Sequence, residues 1–202
     1  MKTRTDLLNH LIKKNDLKSY LEIGVQNPDQ NFNKIECDFR ISVDPDPKAN
    51  ADWIMTSDQF FRQHSQTINQ FKIEGKFDLI FIDGLHTAEQ VRKDFTNALK
   101  ILSPNGFIVM HDCNPLLEEH TIVPRPTKTG HWNGDVYRWA VQIACNESYH
   151  TVDIDNGCGV YRNIPGSPAK FEDIKVYSFE FFDQYRNDLI KLISWDEFTM
   201  LP

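Results

Sequence analysis

Cysteine is scarce in this 202-residue chain: Cys37, Cys113, Cys145 and Cys158 are widely spaced, with no C-x-x-C pair. That spacing excludes the usual zinc-finger and zinc-ribbon patterns and a dense disulfide framework, and reduced thiols in a cytoplasm are the expected state. Long apolar runs are also missing. No stretch reaches the roughly 18 apolar residues that a membrane-spanning helix needs, so no membrane partner is expected. Basic charge is in deficit, with 22 Lys and Arg against 29 Asp and Glu, a net charge of −7. Phosphate binding relies on basic patches, so nucleic acid is disfavoured as a main partner. Glycine is thin, at nine residues, and no G-x-G-x-x-G occurs. The polar opening, residues 1–6, leads into a helical pattern and not into a signal peptide.

What is present is an alternation of strand and helix patterns in a chain of a length that suits one domain. Leu7, Leu8, Leu11 and Ile12 predict a helix over residues 5–14. Residues 20–23 read as a short buried strand ending at Gly24, and residues 39–43 as a second, closed by Asp44-Pro45-Asp46-Pro47. Residues 52–55 are a weak third strand, after which Thr56 or Ser57 caps a helix to about residue 69. The nearly continuous apolar run at 77–82 marks a strand covered on both faces, hence a parallel sheet. Thr87 caps a helix whose apolar side is Val91, Phe95, Ala98, Leu99 and Leu102, and residues 107–110 form the fifth strand.

Residues 113–133 break the pattern, with three prolines and no period. A segment of this length inside a compact domain is expected to be functional or disordered. His120, Arg125, Lys128, His131 and Trp132 within it are expected either as a lid that recognises an anionic or sugar-like acceptor or as a solvated loop. Val136, Trp139, Ala140, Ile143 and Ala144 mark another helix. Residues 149–154 and 159–162 predict a terminal hairpin turning at Asn156-Gly157, with its last strand antiparallel. The tail, residues 177–201, is aromatic-rich and partly helical. Trp139, Phe179, Phe181, Phe182, Tyr185 and Trp195 are expected as core cover or as a homo-oligomer contact. The expected architecture is a doubly wound, mostly parallel α/β sheet.

In such a sheet ligands bind outside the carboxyl ends of the strands. Asp83, His86, His111 and Asp112 all sit at strand exits and are expected to converge on one crevice. Gly24 followed twenty positions later by Asp44 suggests a nucleoside, because a carboxylate there can accept both ribose hydroxyls. NAD is disfavoured: its pyrophosphate needs a glycine-rich turn, and here one glycine stands between Glu22 and Asp29. S-adenosylmethionine has no phosphate and carries a sulfonium and an ammonium, which suit an acidic crevice.

Tyr20-Leu21-Glu22-Ile23-Gly24, Val43-Asp44, the strand from Phe77 to Asp83 and the glycine-turn strand to Asp112 resemble the class I S-adenosylmethionine-dependent methyltransferases. The closer resemblance is to the small bacterial macrocin O-methyltransferase and cephalosporin hydroxylase-like branch, with its Ile-Asp-Gly turn. The resemblance spans about residues 18–163, leaving 164–202 as an aromatic-rich extension. It implies a Rossmann-like, seven-stranded sheet with an antiparallel terminal strand. It also implies that Glu22 and Gly24 hold the methionine end of the cofactor and Asp44 the ribose, that Ser57, Asp58 or both lie near the adenine, and that Asp83 faces the sulfonium region. The first turn departs from the family in lacking its later glycines.

The expected activity is methyl transfer to a small-molecule acceptor, directed at oxygen. An in-line displacement on a hydroxyl needs alignment and a base, and His86 or His111 qualifies, with Asp112 beside them. Asp83 and Asp112 are candidate Mg²⁺ ligands, since that ion takes one or two carboxylates and keeps waters. His111, Asp112 and Cys113 are a poor zinc set, because consecutive strand residues point to alternate faces. Two other readings stay open: a non-catalytic or regulatory S-adenosylmethionine-binding protein of the same fold, and an NAD-dependent dehydrogenase.

Overall fold

The computed structural model describes residues 1–71, 76–127, 130–176 and 178–202. Lys128 of the expected lid and Tyr177 at the expected start of the tail lie outside the described residues. Helix α1 (Arg4–Asn15) starts at a capping box, in which Thr3 accepts from the Asp6 backbone and the Asp6 carboxylate accepts from Thr3 N at 2.9 Å. It buries Leu7, Leu8, Leu11 and Ile12. Strands β1 (Ser19–Ile23), β2 (Phe39–Asp44), β3 (Trp53–Ile54), β4 (Phe77–Ile82) and β5 (Leu102–Met110) are mutually parallel. Strands β6 (Tyr149–Val152) and β7 (Cys158–Arg162) form the expected hairpin, with β7 antiparallel to β5.

The sheet order is β3-β2-β1-β4-β5-β7-β6-β8, where β8 (Leu192–Ile193) is a two-residue strand parallel to β6. The tail thus adds an eighth strand to the seven expected. Two residues of strand have no period for a sequence pattern to reveal. Two further details differ from expectation. The hairpin turns on Asp155 and Asn156, φ 44° and 66°, with Gly157 N bonded to Ile154 O, so the primed turn falls one residue earlier than Asn156-Gly157. Strand β5 begins at Leu102, not residue 107. It passes through Asn105 at φ 63°, with a register irregularity opposite Phe77–Leu79.

The apolar run of β4 divides between two faces, as period two requires. Ile80 and Ile82 pack with helices α2 (Ser57–Phe71), α3 (Ala88–Ile101) and α4 (Tyr137–Ile143), through Phe60, Phe95 and Trp139. Leu79 and Phe81 pack with α1 and with Phe198 of helix α6 (Trp195–Met200). Each such side chain, fully buried, contributes about 1.5–3 kcal/mol. This two-sided core fixes the carboxyl ends of β1 and β4 side by side, where the strand order reverses. In the tail, Arg186 of helix α5 (Phe179–Leu189) donates to Asn114 Oδ1 at 2.6 Å and Pro115 O at 2.9 Å, tethering the segment after β5.

Of the tail aromatics, Phe182 is buried, while Phe181 and Tyr185 are exposed. All four cysteines are free thiols. Among the described residues no helix is long and apolar enough to cross a membrane.

Candidate functional site

A crevice of about 760 Å³ opens outside the carboxyl ends of β1, β2, β4 and β5. Glu22, Gly24, Asp44, Ser57, Asp58, Asp83, His86, His111 and Asp112 all line it. The strand order, which sets the carboxyl ends of β2, β1, β4 and β5 in a row, is what gathers them. Gly24 allows the close approach: at φ +85° its missing Cβ would lie 2.3 Å from Asp83 O and 2.4 Å from Gly84 Cα.

At the β1–β2 end, Glu22 is buried and accepts from Tyr20 OH at 2.5 Å and Asn31 Nδ2 at 2.9 Å. Burial pushes its carboxyl up to about 8, against the hydrogen bonds that favour the ionised form. Asp44 is also buried, and its carboxylate does local work. Oδ2 accepts from Val25 N at 2.8 Å and Gln26 N at 3.0 Å, and Oδ1 from Asp46 N at 2.8 Å. It therefore holds the Gly24 turn in the absence of further glycines, with Gln26 itself at φ 52°. A carboxylate offers about four lone-pair sites, so roughly one remains for a ligand. Ser57 and Asp58 begin α2, and Gln90 Nε2 reaches Ser57 Oγ at 3.3 Å and Asp58 Oδ1 at 3.2 Å.

At the β4–β5 end the charged groups interlock. Arg4 Nη1 lies 2.6 Å from Asp83 Oδ2 and 3.1 Å from His111 Nδ1, and its backbone N donates to Asp155 Oδ2 at 3.0 Å. His111 is buried, with Asp83 Oδ1 at 3.2 Å, Asp112 Oδ2 at 3.3 Å and Asp155 Oδ1 at 3.6 Å from its ring nitrogens. Burial alone would lower its pKa, but Asp83 and Asp112 override it and hold the ring well above the usual histidine range. Asp155 is held down to about 2, since its bonds and attraction to His111 outweigh burial.

His86 Nδ1 lies 2.9 Å from Asp112 Oδ2, a close ion contact without the alignment of a good hydrogen bond. Its pKa is raised as well, burial being outweighed by Asp112. Its ring stacks on Trp132, with centroids 4.9 Å apart and planes 2° apart. Asp112, at φ 61°, also accepts from Asn133 Nδ2 at 2.6 Å. Asp83, His86 and Asp112 each offer one ligand atom within 4.8 Å of the others, a possible metal set. Two carboxylates and an imidazole suit a divalent cation, but Arg4 already compensates Asp83 and both histidines compensate Asp112. Of the expected lid, Arg125, His131 and Trp132 line the crevice, and His120 packs against His131 at 4.6 Å.

Arg4, Asp155, Asn31, Gln90 and Asn133 were not among the expected site residues. Arg4 had no local signal: it follows a helix cap, and only the docking of α1 brings it in. Asp155 read simply as a turn residue.

Residues 30–113 match the sequence model of a family described as a methyltransferase domain. The match takes in less than half of the chain and begins after the Gly24 turn. The likeness to a methyltransferase domain is thus carried by residues 30–113, which lie on the expected Rossmann-like α/β sheet. No curated protein matches it. Similar solved structures include an O-methyltransferase from Bacillus cereus in complex with SAH, at 17% identity over 76% of each chain, TM-score 0.49. The O-methyltransferase TomG from Streptomyces achromogenes, in complex with SAM, is similar at 15% identity over 78% of each chain, TM-score 0.48. The MycE methyltransferase of the mycinamycin pathway, with Mg, SAH and mycinamycin VI, is similar at 16% identity, TM-score 0.46. That likeness covers 79% of this chain and 49% of MycE.

Proposed function

We propose that the protein methylates a hydroxyl of a small-molecule acceptor, with S-adenosylmethionine lying along the crevice from Glu22 to His86. The observation that carries this reading is the arrangement of one cavity: buried carboxyls at one end and an imidazole–carboxylate pair, His86–Asp112, at the other. The volume falls within the range of small-molecule sites, roughly 300–1,000 Å³. The donor set fits the cofactor. Acids face its cationic centres, and no glycine-rich turn is present to hold a pyrophosphate. When bound, S-adenosylmethionine supplies an activated methyl group on a sulfonium.

Glu22, with Gly24 beside it, holds the methionine ammonium. Asp44 turns its remaining lone pair to the ribose, and Ser57 and Asp58 border the adenine. Asp83, partnered by Arg4, faces the sulfonium region. Of the two histidines, His86 is the better base. His111 is buried among three carboxylates and serves as a fixed cation that keeps them together. His86 receives the acceptor proton at Nε2, while Asp112 at Nδ1 stabilises the resulting imidazolium. Trp132, stacked on His86, fixes the ring plane and shields it from water.

A second reading adds a divalent cation at Asp83 and Asp112, favoured by the three convergent ligand atoms. Such an ion would orient and acidify the acceptor hydroxyl. It requires Arg4 to release Asp83.

The test is cofactor binding by an Asp44 variant. Asp44→Ala removes three hydrogen bonds to a charged acceptor, each worth about 1.5–3 kcal/mol, and frees the Gly24 turn. S-adenosylhomocysteine affinity is expected to fall at least about tenfold, about 1.4 kcal/mol, in a protein whose circular dichroism remains native. Unchanged affinity in the folded variant would sink the ribose assignment.

Glu22 supplies a second test, in proton linkage. Its folded-state pKa of about 8 is raised, so the protonated form is the stable one in the free protein at pH 7. Its contribution to stability therefore declines as pH climbs from its unfolded value toward about 8. An ammonium docked against it favours ionisation. Binding of S-adenosylhomocysteine at pH 7 should release a proton, in an amount up to about one. Calorimetry in buffers of different ionisation enthalpy measures this, and zero release would separate Glu22 from the ligand's ammonium.

A further inference from the structure

We propose that the fold holds a second ligand site, away from the crevice, for a small carboxylate with an apolar body. A cavity of about 300 Å³ opens between α1, β5, β6, β7 and α6, and none of its lining residues lines the crevice. It lies toward the opposite end of the sheet, since Arg162 closes β7, which runs antiparallel to β5.

Its floor is apolar: Leu11, Phe107, Val160 and Phe198, all buried. Its polar side is cationic. Arg162 and Lys14 lie there, the Lys14 ammonium donating to Leu201 O, with the exposed Glu147 as the one acidic side chain in the lining. The Arg162 guanidinium lies over the Phe107 ring at 5.6 Å, which fixes its plane. Its Nε–H is buried and has no hydrogen-bond acceptor among the described residues, and His10 Nε2 on the facing helix is buried and likewise without a partner among them. An unmet buried donor costs about 1–3 kcal/mol, more when charged. A carboxylate matches the guanidinium fork, and Lys14 adds attraction at the rim. The apolar floor then requires a hydrocarbon body behind the anion. Glu147 weighs against dianions, and the volume limits the ligand to about the size of a substituted aromatic acid.

The experiment is an amide-shift titration of the full chain with benzoate, alongside benzyl alcohol and inorganic phosphate. Benzoate should give saturable shifts at Leu11, Val160 and Arg162, while the other two bind at least about fivefold more weakly, about 1 kcal/mol. Arg162→Met keeps an aliphatic stem over Phe107 and should weaken benzoate at least about tenfold, about 1.4 kcal/mol. Its affinity for S-adenosylhomocysteine should equal that of the parent. Should that variant not fold, Lys14→Met should weaken benzoate about threefold. No saturable benzoate shift overturns the proposal. So does equal binding of benzyl alcohol (an apolar hole only) or of phosphate (a bare anion site only). Undiminished benzoate binding by the folded variants overturns it too.

Discussion

His86→Ala should lower the rate of methyl transfer by about 10²- to 10⁴-fold, the usual contribution of a positioned base. Affinity for S-adenosylhomocysteine should stay within a few-fold of the parent, because the proposed reading puts His86 at the acceptor end of the crevice. The pH profile carries the more discriminating result. His86 must be neutral to accept a proton, and Asp112, 2.9 Å away, raises its pKa against the opposing effect of burial. Activity should therefore rise with pH along a limb displaced above the ordinary histidine value near 6.5. Asp112→Asn removes the charge that causes the displacement, so its limb should move to lower pH while its maximal rate falls. A single-turnover assay across pH reads both effects. A His86→Ala enzyme of near-parental rate would remove the base from His86 and return His111 to consideration.

Gly24→Ala should be the most damaging single change to the fold of the crevice. The new Cβ would meet backbone atoms of Asp83 and Gly84 at 2.3 and 2.4 Å, and backbone has no rotamer in which to retreat. The left-handed conformation at φ +85° costs a non-glycine residue about 1–2 kcal/mol. Overpacking adds about 1–3 kcal/mol. The sum is a large part of the roughly 5–15 kcal/mol that stabilises a domain. For a chain of this size a loss of about 3 kcal/mol corresponds to a fall in Tm of roughly 6–12 °C. β1 and β4 would also part at their carboxyl ends, and cofactor binding should fall with stability. Thermal unfolding of the variant measures the first effect. A Tm within about 2 °C of the parent would mean that the two strands separate without penalty.

The fold was legible where a residue pattern and a physical rule coincide. The apolar run of β4 required a sheet covered on both sides, and Leu79–Phe81 and Ile80–Ile82 do divide between two cores. Thr87 stands as the cap of α3, accepting from Gln90 N. The convergence of Asp83, His86, His111 and Asp112 followed from strand exits alone. What was hidden depended on tertiary path. Arg4 enters the crevice because α1 packs across β4 through Leu7, Leu8 and Leu11, and no motif near Arg4 announces this. The dense bonding of Asp44 was equally hidden. Its spacing from Gly24 pointed to a ribose, whereas its carboxylate also stands in for the missing glycines by tying down Val25 and Gln26. Strand β8 was too short for any period, and Leu99 and Leu102, expected on one helical face, divide between α3 and the start of β5.

The most direct measurement is calorimetric titration of the protein with S-adenosylhomocysteine, with and without Mg²⁺. Saturable one-site binding in metal-free buffer is the expected result, because Tyr20, Asn31 and the backbone N–H of Val25 already hold the Glu22 and Asp44 carboxyls in place. Tighter binding with Mg²⁺ would add the Asp83–Asp112 cation site to this account. The absence of binding in both conditions would contradict the crevice's assignment to this cofactor, and binding of NADH in its place would overturn it.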